Sequence, residues 1–110
     1  MLKKITVNIG EKLYVLSLED IDFIEAFEKE THIYSSEKKY VSKIKMSKWE
    51  EILSSENFYR CHRSYIVNLD KIVEMEQWMN SSWILKIKNY NKLIPVSRNN
   101  IKELKSLFVI

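Results

Sequence analysis

Apolar and polar residues alternate along much of the chain, which is the pattern of β-strands with one buried and one exposed face. In the first such segment Ile5, Val7 and Ile9 are separated by polar residues. Gly10, the only glycine, predicts a tight turn, and the apolar run 13–16 predicts the second strand of a hairpin. The chain is therefore expected to begin with a two-stranded antiparallel unit.

Comparable runs, separated by polar turn residues, continue to position 96. They predict strands at 22–26, 32–35, 40–44, 58–62, 65–67, 72–76, 83–87 and 93–96. The polar segment 77–82, which carries Trp78 and Met79, is predicted to be a hairpin tip. Pro95 has no backbone N–H, so we expect its strand to lie at a sheet edge or to end there.

Helical spacing occurs in two places. Ser47 and Glu50 form a predicted capping box at the start of a short helix. The apolar residues of one face of this helix are Trp49, Ile52 and Leu53. A second helix is predicted to start in the polar stretch 97–100, and its apolar positions are Ile101, Leu104, Leu107 and Phe108. The pattern predicts a mainly β protein of antiparallel strands with a short central helix and a C-terminal helix.

The length of 110 residues is enough for one hydrophobic core but not for two, so residues 1–110 are predicted to form a single domain. The single cysteine, Cys61, cannot form an internal disulfide, which fits a reducing compartment. Secretory, membrane-spanning and lipidation signals are absent from the sequence, so we expect a cytoplasmic protein.

The net charge of +3 is unevenly distributed. Residues 1–57 contain 9 Lys and Arg against 11 Asp and Glu, whereas residues 58–110 contain 9 against 4. A basic second half suits a polyanionic partner, although ordinary solvated surface charge gives the same imbalance.

The stretch from Phe58 to Ile72, FYRCHRSYIVNLDKI, combines a strand pattern with hydrogen-bond donors. Arg63 and Ser64 interrupt the alternation, and a β-branched and aromatic run resumes after them. Arg, His and Ser side chains are donors that suit phosphate oxygens and guanine edges. This stretch is therefore the strongest candidate for a nucleic-acid contact.

The same stretch resembles the signature of the LytTR DNA-binding domain of bacterial response regulators. The resemblance rests on Phe58-x-Arg60-x-His62-Arg63-Ser64-x-Ile66-Val67-Asn68-Leu69-x-x-Ile72. Weaker matches on either side are Leu18-x-Asp20-Ile21-x-Phe23-Ile24-Glu25-Ala26 and Leu93-Ile94-Pro95-Val96-Ser97-Arg98 followed by Leu104. The resemblance implies an elongated antiparallel β sandwich of small sheets. It also implies a transcriptional regulator, not an enzyme, that places loop side chains instead of a helix in successive major grooves.

By position, the resemblance implies three groups of DNA-facing residues. They are His62, Arg63 and Ser64 in the central motif, Ser97, Arg98 and Asn99 at the start of the last helix, and Lys29, Thr31 and His32 in the loop after the third strand. Arg60 and Lys102 are added as phosphate contacts, with a salt bridge as the alternative role for Arg60.

The chain departs from the family pattern in its loops. Glu28 and Glu30 in the first loop repel phosphate. Asn91 stands where many members have a glycine, and we expect the turn to survive because asparagine tolerates a positive φ. The Asn99–Asn100 pair replaces more basic residues, which affects the expected base preference but not the fold.

Several of these residues have a second interpretation. Arg98 either reads a guanine or pairs with Glu103 on the surface, and His62 either faces DNA or packs inside. Asn68 is expected to cap the backbone of a turn, and Cys61 to be a small buried hydrophobe. The apolar chain end 107–110 either packs on the sheet or contacts a second protomer or an effector.

The leading hypothesis is sequence-specific binding of double-stranded DNA by a regulator of the two-component type. The resemblance implies tandem half-sites, a homodimer on DNA, and a receiver domain or a membrane protein as partner. The alternative is a protein-interaction module of the same fold with weak or no DNA binding, which the acidic first loop would suit. The residue types and spacings predict no catalytic group, metal site, cofactor or small-molecule substrate.

Overall fold

The computed structural model describes residues 3–108, and in this range ten β-strands and two α-helices alternate with short 3-10 turns. The strands are β1 (Lys4–Ile9), β2 (Lys12–Ser17), β3 (Ile21–Phe27), β4 (Glu30–Ser35), β5 (Lys38–Ser42), β6 (Phe58–His62), β7 (Tyr65–Asn68), β8 (Ile72–Gln77), β9 (Trp83–Ile87) and β10 (Leu93–Val96). The helices are α1 (Met46–Ile52) and α2 (Arg98–Ser106). Neither helix is long and apolar enough to cross a membrane.

The strands form three small antiparallel sheets. They are the hairpin β1-β2, the three-stranded sheet β10-β9-β8 and the five-stranded sheet β5-β4-β3-β7-β6. The molecule is elongated, with extents of 45 × 31 × 25 Å. The predicted mainly β architecture, with small antiparallel sheets, a central helix and a C-terminal helix, is confirmed.

The five-stranded sheet has a hydrophobic core on each face, so the single core expected from the chain length is wrong. Ile24, with other residues of this sheet, packs against the β1-β2 hairpin and α1. Its neighbour Phe23 packs on the other face with Cys61, the three-stranded sheet and α2. Successive strand residues point to opposite faces, so β3 is buried on both sides and joins the two cores. Burial raises the pKa of the Cys61 thiol to about 12, which keeps this cysteine a neutral apolar side chain, as predicted.

The predicted capping box in α1 is wrong. The helix begins at Met46, one residue before Ser47, and its N-cap residue is Lys45, which makes no side-chain capping bond. Met46 is buried in the core that contains the β1-β2 hairpin, and this packing favours a helix that starts one residue before Ser47. Of the predicted apolar face, Trp49 and Leu53 are buried, whereas Ile52 is 40% exposed.

Two predictions about the three-stranded sheet concern β10 and the turn before it. β10, which contains Pro95, is an edge strand, as expected. The turn between β9 and β10 is present, and its residue with positive φ is Asn89 (71°), not Asn91. The chain turns directly after β9, where the Tyr90 N–H donates to the Ile87 carbonyl (3.1 Å), and this places Asn89 at the turn position that needs a left-handed backbone.

The C-terminal helix is shorter than its apolar spacing predicted. It ends at Ser106, and Leu107 and Phe108 are exposed on the described surface. The last two residues of the apolar chain end, 109 and 110, lie outside the described residues. Whether the chain end packs on the sheet or contacts a partner therefore stays a prediction.

Asn68 is the polar link between β7 and β3. Its buried side chain donates from Nδ2 to the Ile21 carbonyl (2.8 Å) and accepts from the Asp70 N–H through Oδ1 (3.0 Å). The expected capping role is therefore confirmed, and the same side chain also reaches the first residue of β3.

We expect Asn68→Ala to lower the free energy of unfolding by about 2–4 kcal/mol, because it leaves a buried carbonyl and a turn N–H without partners. Urea denaturation measures this loss, with Asn8→Ala in the exposed part of β1 as the matched control. A loss no larger than that of the control would show that the two bonds contribute nothing.

Candidate nucleic-acid interface

Three segments of the chain meet at one end of the five-stranded sheet. Residues 28–29 connect β3 to β4, and residues 63–64 connect β6 to β7. The two turns lie at the same end because Glu25 near the end of β3 pairs with Tyr65 at the start of β7. β5 also ends there, since Ser42 pairs with Thr31 near the start of β4. The antiparallel register thus brings together loops that are far apart in sequence.

Backbone hydrogen bonds connect this end of the sheet to the start of α2. The Ala26 N–H donates to the Ser64 carbonyl (2.8 Å), and the Ser97 N–H donates to the Cys61 carbonyl (2.9 Å). Asn100 Nδ2 also donates to the Cys61 carbonyl (3.1 Å). The first loop, the central motif and the start of α2 therefore form one continuous row.

The central motif and the start of α2 share one open depression. Its lining includes Arg60, His62 and Arg63 from the motif and Ser97 and Asn99 from the start of α2. His62 and Arg63 thus meet Ser97 and Asn99 on one surface, whereas Ser64 and Arg98 do not line this depression.

Arg60 is half-buried and holds the turn that follows it. Its guanidinium donates to Oε1 of Glu50 (2.8 Å) and to the Arg63 carbonyl (2.6 Å). The structure therefore contains the salt bridge that the sequence left open as one role for Arg60. The second bond fixes the backbone of Arg63, whose side chain is exposed at the turn.

His62 is neutral and has a defined tautomer. The Ser64 N–H donates to Nδ1 of His62 (3.0 Å), so Nδ1 carries no proton and the ring proton is on Nε2. Burial, together with the charges of Arg63 and Arg60, lowers the pKa of His62 below its usual 6.5. The ring packs edge-on against Tyr65, with centroids 6.0 Å apart. At pH 7 His62 is therefore a neutral N–H donor at the edge of the depression.

In the first loop Lys29 is exposed at the hairpin tip, but Thr31 is only 2% exposed. Oγ1 of Thr31 accepts from the Trp49 indole N–H (3.0 Å) and donates to the Ile44 carbonyl (2.8 Å). Both contacts connect the β3-β4 hairpin to α1 and the segment before it. Thr31 thus anchors the β3-β4 hairpin to α1 from the buried side.

His32 is likewise buried, with 6% exposure. Its ring stacks on Phe27 with centroids 5.0 Å apart, and its Nε2 lies 3.3 Å from Oε1 of Glu30. The stacking on Phe27 joins the two strands of the hairpin, and the contact with Glu30 lies within β4. The structure does not bring Thr31 and His32 onto the exposed row with Lys29.

The start of α2 presents exposed polar side chains. Arg98, Asn99 and Lys102 are exposed, and Ser97 is the N-cap residue, although its hydroxyl makes no capping bond. The Arg98 guanidinium donates to the carbonyl of Asn80 in the β8-β9 tip (2.9 Å). The suggested pairing of Arg98 with Glu103 is not among the contacts of residues 3–108, where Glu103 accepts from Tyr59 instead (2.7 Å).

Two lysines that the sequence reasoning did not select lie beside the first loop. Lys43 and Lys45 are exposed and line grooves that also contain Lys29. Their positive charges offset the negative charges of Glu28 and Glu30 in this loop. Their closeness depends on the pairing of β5 with β4, which no local sequence signal reveals.

Glu25 is buried beneath this row of loops. Its Oε2 accepts from the Tyr65 hydroxyl (2.7 Å) and pairs with the Lys92 ammonium, while Oε1 accepts from the Tyr34 hydroxyl (3.4 Å) and lies 3.8 Å from Nδ1 of His32. Lys92 immediately precedes β10, so the network ties the loop end of the five-stranded sheet to the three-stranded sheet.

Burial alone would raise the pKa of Glu25, but the hydrogen bonds from Lys92 and Tyr65 and the charges of Lys92 and His32 outweigh it. The pKa of Glu25 is therefore below its usual value of 4.5. Burial and then the hydrogen bond to Glu25 raise the pKa of Tyr65 to about 12. The carboxylate is thus ionised and the phenol protonated throughout the physiological range.

The part of the chain that the structure describes contains no group of three or more His, Cys, Asp or Glu side chains able to hold a metal ion. The arrangement offers donors and cations on an exposed row, and this chemistry suits an anionic polymer.

Comparisons with known proteins give a consistent result. Residues 11–109 match the family model described as the LytTr DNA-binding domain. The transcriptional regulatory protein YpdB of Escherichia coli strain K12 is 38% identical over 104 residues, which are 93% of this chain and 43% of YpdB. The sensory transduction protein LytT of Bacillus subtilis strain 168 is 32% identical over 107 residues, which are 97% of this chain and 44% of LytT.

The fold is also found among solved structures. The LytTr DNA-binding domain of a Bacillus cereus response regulator matches with a TM-score of 0.84 over 97% of both chains, at 24% identity. The chain spans less than half the length of the curated relatives named above.

The lowered pKa of Glu25 predicts a specific acid sensitivity. A group whose pKa is depressed in the folded state stabilises the protein above its unfolded pKa, here 4.5, and loses this contribution as the pH falls through the folded pKa. Between about pH 6 and pH 3 the free energy of unfolding should therefore fall more for the parent than for Glu25→Gln.

Urea denaturation at each pH measures this difference, and Glu19→Gln at an exposed position is the matched control. Equal acid sensitivity of the parent and Glu25→Gln would contradict the assignment.

Proposed function

The chain belongs to the LytTR family of DNA-binding domains of transcriptional regulators, and we propose that it binds double-stranded DNA sequence-specifically through the row of loops described above. In this proposal two turns and the N-terminal end of α2, instead of a helix laid along the groove, enter the major groove. The 28–29 turn, the 63–64 turn and the start of α2 are the contacting segments.

The observation that carries the proposal is the clamped turn of the central motif. Arg63 is exposed, and its backbone is held by the Arg60 guanidinium at 2.6 Å, while the neighbouring His62 presents a neutral Nε2–H. A turn whose backbone is fixed before binding loses less conformational entropy when its side chains meet a base edge. Arg63 is therefore assigned to a guanine edge, and His62 to a base or phosphate oxygen.

The other residues are assigned to base edges, to phosphates or to a supporting role by their side-chain chemistry and exposure. Arg98 and Asn99 are assigned to base edges, because Arg and Asn make bidentate contacts with guanine and adenine. The residues assigned to phosphates are Lys29, Lys43, Lys45, Ser64, Ser97 and Lys102. Thr31 and His32 are assigned a supporting role, since Thr31 is engaged with Trp49 of α1 and His32 with Glu30.

We further propose that two copies occupy tandem half-sites and that a partner regulates the domain. The relatives are more than twice as long as the matched region, so residues outside such a domain are available for control in those proteins. A receiver domain or a membrane protein is the proposed source of that control for this chain.

Selection of bound sequences from a random duplex pool, followed by a salt titration, tests the proposal. We expect one enriched motif and a log–log slope of about −0.9 for each phosphate contact. Absence of enrichment together with a flat salt dependence would favour the alternative, a protein-interaction module, which the acidic residues Glu28 and Glu30 would suit.

We expect Arg63→Ala and Arg98→Ala each to weaken binding to the selected site by about 1–3 kcal/mol, because each removes a bidentate base contact. Affinity for random duplexes should change much less, so that the specificity ratio falls. Fluorescence anisotropy on both duplexes measures this, with Lys88→Ala as a control at an exposed turn after β9. A variant that keeps the parent's ratio would remove that arginine from the base-reading set.

The lysines at the two ends of β5 provide a matched pair. Lys43 follows the strand at the loop end, and Lys38 begins it at the opposite end. Lys43→Gln should reduce the steepness of the salt dependence by about 0.9 and weaken binding equally on all sequences, whereas Lys38→Gln should do neither. Identical slopes for the two variants would contradict the placement of the interface at the Lys43 end.

A further inference from the structure

The start of α2 has a second neighbour, the tip of the β8-β9 hairpin. The Arg98 guanidinium donates to the Asn80 carbonyl in this tip (2.9 Å). The Lys105 ammonium lies 4.0 Å from the ring centroid of Trp83, the first residue of β9. Arg98, Lys102 and Lys105 recur at i, i+4 and i+7, so they share one face of the helix. A basic stripe of α2 therefore runs along the hairpin tip.

The tip is a closed loop that displays an apolar side chain. The Trp78 N–H donates to the Ser82 carbonyl (2.7 Å), and the Ser82 hydroxyl donates to the Met79 carbonyl (2.9 Å). Asn80 and Ser81 have left-handed φ values of 61° and 60°. Met79 is 85% exposed, more than any other large apolar side chain of residues 3–108. The loop thus holds Met79 in solvent beside the basic stripe.

The carboxylates near the base of the tip are already engaged. Glu76 accepts from the Trp78 indole N–H (2.9 Å), and Glu74 pairs with Lys86 (3.0 Å). Glu76 keeps its negative charge, because the indole donor is neutral, but the three cations of the stripe outnumber it. The charge that the stripe and the tip present together is positive, which suits an anionic partner.

We propose that the stripe and the tip, namely Arg98, Lys102, Lys105, Met79 and Asn80, form one further DNA contact that extends the row of loops past α2. Lys102 and Lys105 neutralise phosphates on the flank of the site, and Met79 packs against the sugar edge of the same groove. The inference rests on the DNA binding proposed above and adds a segment to it.

Continuity with the row of loops identifies the occupant. Arg98 lies between Ser97 and Asn99, which line the depression with the central motif, and its own guanidinium donates to the tip (2.9 Å). A duplex that Arg98 reaches therefore passes beside Asn80 and Met79 as it leaves the central motif. The cationic stripe favours that duplex over a second protein copy at this position.

The test uses two duplexes, one with the selected site and long flanks and one trimmed on the α2 side. Lys105→Gln and Met79→Ser are compared with Lys88→Gln and Val73→Ser, which change exposed residues at the other end of the same sheet. All four positions are exposed, and urea denaturation verifies that each variant folds like the parent.

On the long duplex Lys105→Gln should reduce the steepness of the salt dependence by about 0.9, and on the trimmed duplex it should have no effect. Met79→Ser should leave the slope unchanged but shorten the hydroxyl-radical footprint on the α2 flank. The two control variants should behave like the parent in both assays.

Three outcomes would overturn the inference. If both variants match their controls on the long duplex, the tip does not contact DNA, and the proposed function stands without it. If Met79→Ser abolishes self-association while the footprint keeps its length, the surface belongs to a second copy. If the parent selects no sequence from the pool, the proposed function falls and this inference falls with it.

Discussion

The pairing of β3 with β7 is the constraint on which the rest of the structure depends. It joins residues 40 to 44 positions apart, and it places the hairpin β3-β4 beside the central motif. Residues 21–25 of β3 are all buried, so the strand also carries a core on each face. Loss of this pairing would separate the two cores and the loops of the candidate interface together. The surface that meets DNA in our proposal is thus a direct consequence of non-local strand register.

The buried network around Glu25 stabilises that register at the end where the loops emerge. An ion pair in a protein interior contributes little net stability, but removing one partner is strongly destabilising because a charge is left unpaired. Tyr65 reaches Glu25 from the paired strand β7, and Lys92 reaches it from the segment just before β10, so the network links the five-stranded sheet to the three-stranded sheet. The main effect of the network is therefore to position β10 relative to the five-stranded sheet. Because α2 begins directly after β10, the start of α2 is positioned as well.

The folded structure brings together charged residues from both halves of the sequence, which the net charge of each half did not suggest. Glu28 and Glu30 lie at the first loop, but Lys43 approaches from the neighbouring strand and offsets them. His62 remains neutral because it is partly buried between two arginines. The interface therefore combines permanent cations with a neutral donor, a mixture that suits phosphates and base edges at once.

The sequence by itself determined the mainly β class, the two helices, the edge position of Pro95 and the cap at Asn68. These features depend on alternation, on helical spacing and on the backbone chemistry of single residues, all of which are local. Only the tertiary structure decided that Thr31 is buried, that Lys43 flanks the first loop, and that the β8-β9 tip meets Arg98. Each of these depends on which distant segments pack together, and the free energy of that packing comes from burial across the whole fold, not from any short stretch of residues.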